Sequence, residues 1–173
     1  EYLEDPVRGQ ENMAMVRKTL KTPLATNMCT TSFEDIPRSI QLGSEDIILS
    51  DHHFWGGLQA SMTLAGLYQT FGRDLSMHSN SHLGISLAAM VHLGAAIPNL
   101  KYALDTHYPW QSEKDEIVLG GKVKIKDGCV TIPDKPGLGV SIDYDQLERG
   151  KERYRKVPYR KRDDENEMRK HVD

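Results

Sequence analysis

Hydrophobic residues along this chain follow two alternating spacings. Short apolar runs recur at Glu1-Tyr2-Leu3-Glu4, Pro23-Leu24-Ala25-Thr26, Asp46-Ile47-Ile48-Leu49, Asp74-Leu75-Ser76-Met77 and Tyr102-Ala103-Leu104. Between them, apolar residues fall three or four apart: Met13, Val16 and Leu20, then Phe33, Ile36 and Ile40, then Leu58, Met62, Ala65 and Leu67. That spacing predicts amphipathic helices over 11–20, from Ser32 onward, and over 57–71, and an alanine- and leucine-rich helix over 83–96. Ser32 with Asp35 three residues on reads as a helix start, and Pro37 fits only in a first turn. The near-continuous Ile47-Ile48-Leu49 run predicts a strand buried on both faces, as in a parallel sheet covered by helices.

Each apolar run closes on one titratable or metal-binding residue: Glu4, Asn27, Asp51, His78 and His107. The intervals are 23, 24, 27 and 29 residues, the length of one strand, one helix and two loops. Successive βα units place every strand C-terminus on one face of a parallel sheet or barrel. Five scattered residues are therefore expected to meet at one site.

The alternation stops after His107. Glu116 to Leu119, Lys122 to Lys126 and Cys129 to Ile132 have period-two patterning, with hairpin signals at Gly120-Gly121 and Asp127-Gly128. Pro136-Gly137-Leu138-Gly139 reads as a loop, residues 145–154 as a short polar helix, and the mixed-charge run from Lys156 as a solvated surface. The opening Glu1-Tyr2-Leu3-Glu4 reads as the middle of a strand, so the chain is expected to be the C-terminal part of something longer.

Composition narrows the function classes. With 38% hydrophobic residues and a net charge of −3, the chain suits a globular domain and argues against a general nucleic-acid binder. No apolar run approaches the ~20 residues that span a membrane. Cys29 and Cys129 fit no CxxC pattern and read as reduced thiols of a cytoplasmic protein. A homo-oligomer acting on a small molecule, with no nucleic-acid or membrane partner, is the expected assembly.

The candidate chemistry has two halves. Glu4, Asp5 and Asn27 are hard oxygen donors suited to Mg²⁺. Asp51 and His78, at adjacent strand ends, can form a general-base dyad, in which the carboxylate fixes the imidazole tautomer. Capping and buried-polar roles explain the same pair equally well on spacing alone. His78 and His82 stand four apart, as zinc-binding histidines on helices do, but His78 ends a strand and no HExxH pattern is present. His52 and His53 can also be ligands, but their loop position after Asp51 favours substrate contact or a place behind the residues that touch ion or substrate; His92 fits a packed core position, and Phe54 and Trp55 packing or a pocket wall.

Together these segments resemble a known family. Tyr2-Leu3-Glu4-Asp5-Pro6, Ala25-Thr26-Asn27-Met28, Ser50-Asp51-His52-His53-Phe54-Trp55, His78-Ser79-Asn80-Ser81-His82 and Leu104-Asp105-Thr106-His107 are similar to motifs of the glucarate dehydratase family of the enolase superfamily. The similarity extends through Lys135-Pro136-Gly137-Leu138-Gly139-Val140 to Arg162-Asp163-Asp164. It implies an α/β fold, the C-terminal part of a modified (β/α)₈ barrel. Strands four to eight would lie in 1–110, and 111–173 would be a β segment joining an α+β capping domain. It implies Glu4 and Asn27 as Mg²⁺ ligands, Asp51 and His78 as catalytic dyad, and His107, Asn27, Ser79 and Asn80 as substrate contacts.

The implied reaction is Mg²⁺-dependent dehydration of an acid sugar of the D-glucarate or L-idarate type, by α-proton abstraction, enediolate stabilisation and β-hydroxyl loss. The first metal ligand, an Asp, and a catalytic Lys would precede Glu4, so the 173 residues alone are expected to be inactive without the upstream barrel and capping segments. Asn27 and His107 stand where the racemase-like branch has Glu, and Asp51 where the lactonising branch has Lys. The alternatives are a non-catalytic relative, or a dehydratase or epimerase for a different hexarate.

Overall fold

The computed structural model describes residues 1–158. The charged run beyond them, with Arg162-Asp163-Asp164, lies outside the described residues. Four parallel strands form one sheet in the order β1 (Leu3–Glu4), β2 (Leu24–Thr26), β3 (Ile47–Ser50), β4 (Asp74–Met77). Each strand is joined to the next by a crossover helix: α1 (Gln10–Thr19), α2 (Ile36–Leu42) and α3 (Leu58–Thr70). The register pairs Glu4 with Ala25, Thr26 with Ile48, and Ser50 with Met77. All strands thus end on the same side, as the spacing requires.

Residues two apart along a strand share a face, and over β2, β3 and β4 both faces are buried, whereas β1 is exposed. Ile48, Leu75 and Met77 pack under the helices with Leu64, Tyr68, Leu87 and Met90, all fully or almost fully buried. Ala25, Ile47 and Leu49 form a smaller cluster on the opposite face, flanked by Tyr2 and Tyr102. The buried stripe of α3 differs from the expected one: Ser61, Leu64, Ala65 and Tyr68 face the sheet, whereas Leu58 and Leu67 are exposed. Ser61 is fully buried on this stripe, its hydroxyl 3.5 Å from that of Ser50.

Between α2 and β3 lies a buried carboxylate. Gly43, with φ 66°, closes α2 in the left-handed conformation that glycine adopts without cost. The turn delivers Glu45 into the core, 1% exposed, where it accepts from the hydroxyls of Ser39, Ser44 and Tyr68, the last at 2.8 Å. Burial first, and then the neighbouring carboxylate, push the Tyr68 hydroxyl pKa up.

The fifth apolar run does not form a regular strand. It lies beside β4 through a parallel bridge between Leu75 and Leu100, an Asp105 N–H to Met77 carbonyl bond of 3.3 Å, and the Ser76 hydroxyl donating to the Ala103 carbonyl. Helix α4 (Gly84–Ala96) precedes it, and α5 (Tyr144–Arg155) is the last described element. His92 on α4 is only partly buried, and its Nε2 lies 3.3 Å from the Leu138 carbonyl, so it serves contact with the later loop rather than the core.

The three expected strands after residue 115 reduce to two antiparallel bridges, Val118 with Ile142 and Lys126 with Cys129. A lone hairpin has too few neighbours to hold a ladder. The segment is instead pinned by Glu116, 3% exposed, whose carboxylate accepts from the Gly84 N–H at 3.1 Å and from the Tyr108 hydroxyl at 2.5 Å. A carboxylate at a helix N-terminus is favoured by the unpaired N–H groups there. Among the described residues, no helix is long and apolar enough to cross a membrane.

Candidate active site

The strand ends gather the predicted residues into two clusters. In the first, the Asn27 amide donates to Glu4 Oε1 at 2.6 Å. Their neighbour Asp5 takes a different part from the one expected of it. Its backbone turns left-handed, φ 38°, a conformation aspartate tolerates. Its carboxylate then folds back to accept from the Thr26 hydroxyl and, at 3.0 Å, from the Asn27 N–H. Asp5 therefore braces Asn27, and its oxygens are engaged by the protein. The Glu4 carboxyl pKa is raised, by burial first and then by the charges of Asp5 and Asp105. That excess of negative charge suits a cation.

In the second cluster, Asp51 follows β3 and His78 follows β4. The His78 N–H hydrogen-bonds the Ser50 carbonyl at 3.2 Å, which continues the β3–β4 ladder and sets the two side chains next to each other. His78 Nδ1 lies 3.1 Å from Asp51 Oδ2, and Asp51 has a 1% exposed side chain. Burial alone would raise the Asp51 pKa. The His78 ring, the His53 N–H at 2.8 Å and the His53 ring at 2.7 Å outweigh it and bring the group to about 2. The same bond raises the His78 pKa against its partial burial. The Phe54 ring, 63% exposed, stacks at 6.3 Å from the imidazole, while Trp55 turns inward against Phe33.

The remaining predicted residues surround this pair. Ser79 is 1% exposed and its hydroxyl accepts from the His107 N–H at 3.1 Å, so it holds the turn that presents His107. The His107 ring rests against Trp110, centroids 5.2 Å apart. Asn80 is exposed, and no hydrogen bond holds its side chain among the described residues.

Sequence reasoning missed how closely His53 joins Asp51, and it missed Ser86 and Thr106. Ser86 Oγ lies 2.9 Å from His53 Nε2 and 3.0 Å from His82 Nδ1, and Thr106 Oγ1 is 2.6 Å from His82 Nε2. His82 precedes α4, so it is not half of a helical zinc pair with His78. Asp51, His52 and His53 do place ligand atoms within 4.8 Å of one another. Crowded histidines at a strand end were a visible signal; a serine at the third position of the next helix was not.

Residues 1–147 match the family of enolase C-terminal domain-like proteins. The chain is 50% identical over 147 residues to a probable glucarate dehydratase of Streptomyces coelicolor, covering 85% of this chain and 33% of the relative. It is 26% identical over 159 residues to the D-gluconate dehydratase of Thermoproteus tenax, covering 91% of this chain and 31% of that one. A crystal structure of an enolase from Pseudomonas fluorescens, with bound magnesium, potassium and tartrate, superimposes with a TM-score of 0.94 at 51% identity. It covers 99% of this chain and 40% of that one.

Proposed function

The chain belongs to the enolase C-terminal domain-like family, and from that premise we propose that it supplies the dyad and two metal ligands for Mg²⁺-dependent dehydration of a hexarate such as D-glucarate. Its parallel sheet is the C-terminal part of the superfamily barrel, and its relatives include acid-sugar dehydratases. The observation that carries the reading is the Asp51–His78 contact at 3.1 Å, on the side of the sheet where Glu4 and Asn27 meet.

The donor set fits a hard cation. Glu4 offers carboxylate oxygen, and Asn27, with its nitrogen donating to Glu4, keeps an amide oxygen without a protein partner among the described residues. When bound, Mg²⁺ supplies positive charge that stabilises the electron density developing on the substrate carboxylate, several kcal/mol in such reactions.

The chain's own residues do the proton work. Asp51, ionised at neutral pH, can only accept, so His78 Nδ1 carries a proton, and in the neutral ring Nε2 presents its lone pair. His78 Nε2 removes the proton α to a substrate carboxylate, and the resulting imidazolium is stabilised by Asp51 and can protonate the departing β-hydroxyl. His107, presented by Ser79, contacts the distal part of the sugar acid, with Asn80 free to reach it. A further Asp ligand and a Lys base are expected from barrel strands outside this chain, so the chain alone does not turn over.

Incubating the intact protein with Mg²⁺ and a panel of hexarates, and measuring 2-keto acid, tests the reading. Product is expected from a glucarate-type diacid and is abolished in His78→Asn. No product from any hexarate, with Mg²⁺ binding shown by calorimetry, favours a non-catalytic relative.

A further inference from the structure

Around the dyad, a set of side chains exceeds what proton abstraction requires. His53, Ser86, His82 and Thr106 connect, by hydrogen bonds of 2.6 to 3.0 Å, the far oxygen of Asp51 to the residue preceding His107. The direction of every bond in this series follows from its ends. Asp51 is acceptor only, so His53 Nδ1, 2.7 Å from Oδ1, carries a proton. In the neutral ring His53 Nε2 is then bare and takes the Ser86 hydroxyl proton. Ser86, having donated, can only accept from His82 Nδ1 at 3.0 Å and from His52 Nε2 at 3.3 Å.

His82 Nε2 is therefore bare and accepts from the Thr106 hydroxyl, whose own lone pair accepts the Tyr108 N–H at 3.1 Å. One atom checks the assignment independently. Among the described residues, His52 Nδ1 is buried without a partner. With His52 protonated at Nε2, that atom is a bare lone pair rather than a stranded N–H, which is the less costly orphan. Burial first, and then His53 and His52, hold the His82 pKa at about 4, so the ring carries no second proton at neutral pH.

We propose that His53, Ser86 and His82 are positioning residues, forming one directed hydrogen-bond relay that runs from Thr106 beside His107 to Asp51 and fixes the tautomer of His78. The relay clamps one carboxylate oxygen so that the other stays aimed at the His78 ring. It also ties the β3 end, the first turn of α4 and the His107 turn into one unit, so the base and the substrate contact keep a common frame. The functional meaning rests on the dehydratase reading above; the relay itself does not.

Nitrogen-15 spectra of histidine-labelled intact protein test it directly. At a pH where the four rings are neutral, above the raised His78 pKa, the expected forms are Nδ1–H at His78, His53 and His82, and Nε2–H at His52. The opposite tautomer at any of these four overturns the proposal without recourse to a variant. Ser86→Ala is expected to lose the single tautomer at His53 and His82. It is also expected to lower kcat about tenfold, the rate equivalent of one hydrogen bond, while KM changes less than about twofold. Ser86→Thr, which keeps the hydroxyl, is expected to restore both.

Unchanged His53 and His82 signals in Ser86→Ala refute the relay. A kcat loss that Ser86→Thr fails to restore, despite wild-type tautomers, refutes the positioning role. If the wild-type protein turns over no hexarate, the substrate reading alone fails, and the spectra still decide the relay.

Discussion

Replacing Asp51 by Asn isolates the electrostatic core of the site. Asp51 titrates at about 2 rather than 3.8 despite a buried side chain. That difference corresponds to about 2.5 kcal/mol in favour of the ionised form, delivered by two imidazoles and one backbone N–H. An amide has the same shape but one oxygen and one NH₂. Two ring N–H groups then compete for a single acceptor, and one of them faces a donor. The relieved arrangement moves the His78 proton to Nε2, the nitrogen that must be bare to act as base. The same swap in an unrelated carboxylate–imidazole pair costs about 10⁴-fold in kcat, and a loss on that order is expected here in the 2-keto acid assay of the intact protein.

The pH dependence gives a second readout. Because the folded-state pKa of Asp51 is depressed, its contribution to stability is full above about pH 4 and is lost as pH falls toward about 2. The His78 pKa is raised, so its contribution is full below the ordinary histidine range and is lost as pH rises through the folded value. Asp51→Asn should therefore flatten the acid limb of a stability profile followed by circular dichroism, and should lower the pH at which His78 titrates by NMR. A variant with wild-type turnover, or with His78 titrating at an unaltered pH, refutes the reasoning.

Asn27→Ala, at a partly exposed position, should weaken Mg²⁺ binding in calorimetry while shifting Tm little; equal affinity would remove Asn27 from the ligand set. Glu45→Ala leaves the Ser39, Ser44 and Tyr68 hydroxyls without their shared acceptor and should cost about 3 kcal/mol or more in urea unfolding, with Tyr68→Phe nearer 1 kcal/mol. Gly84→Ala puts a Cβ 2.7 Å from Val118 and 3.0 Å from the Glu116 carboxylate, so it should destabilise by about 1–3 kcal/mol and loosen the segment after residue 115 in hydrogen exchange.

The parts of this molecule written in local pattern could be read without coordinates. Four strands and the helices between them appear within a residue or two of their expected bounds, because each buries an apolar run or stripe. The strand-end series was legible for the same reason: Glu4 with Asn27, and Asp51 with His78, are neighbours because the βα period makes them so. Features that depend on contact across the fold were not. The hairpin signals around Gly120 and Asp127 mark turns correctly, but strand formation also needs a ladder partner, and here there are only two isolated bridges among the described residues, Val118 with Ile142 and Lys126 with Cys129. Asp5 looked like a metal ligand because its residue type allows it, yet a positive φ turned it toward Thr26 and Asn27. Ser86 carries no motif at all; only the approach of α4 to the β3 end gives it three histidine neighbours.

The sheet order β1-β2-β3-β4 is also the order of the chain. Every strand therefore docks on one made a single crossover earlier, and each closure carries nearly the same entropic cost, since that cost grows only as the logarithm of loop length. A sheet of this kind can grow from its first strand as the polypeptide leaves the ribosome, without waiting for a distant partner. The candidate site inherits the same schedule. Glu4 and Asn27 come first, Asp51 follows, and the His78 imidazole comes after all three, with His107 later still, so the proposed base is made only after its carboxylate partner and the residues proposed to face the metal.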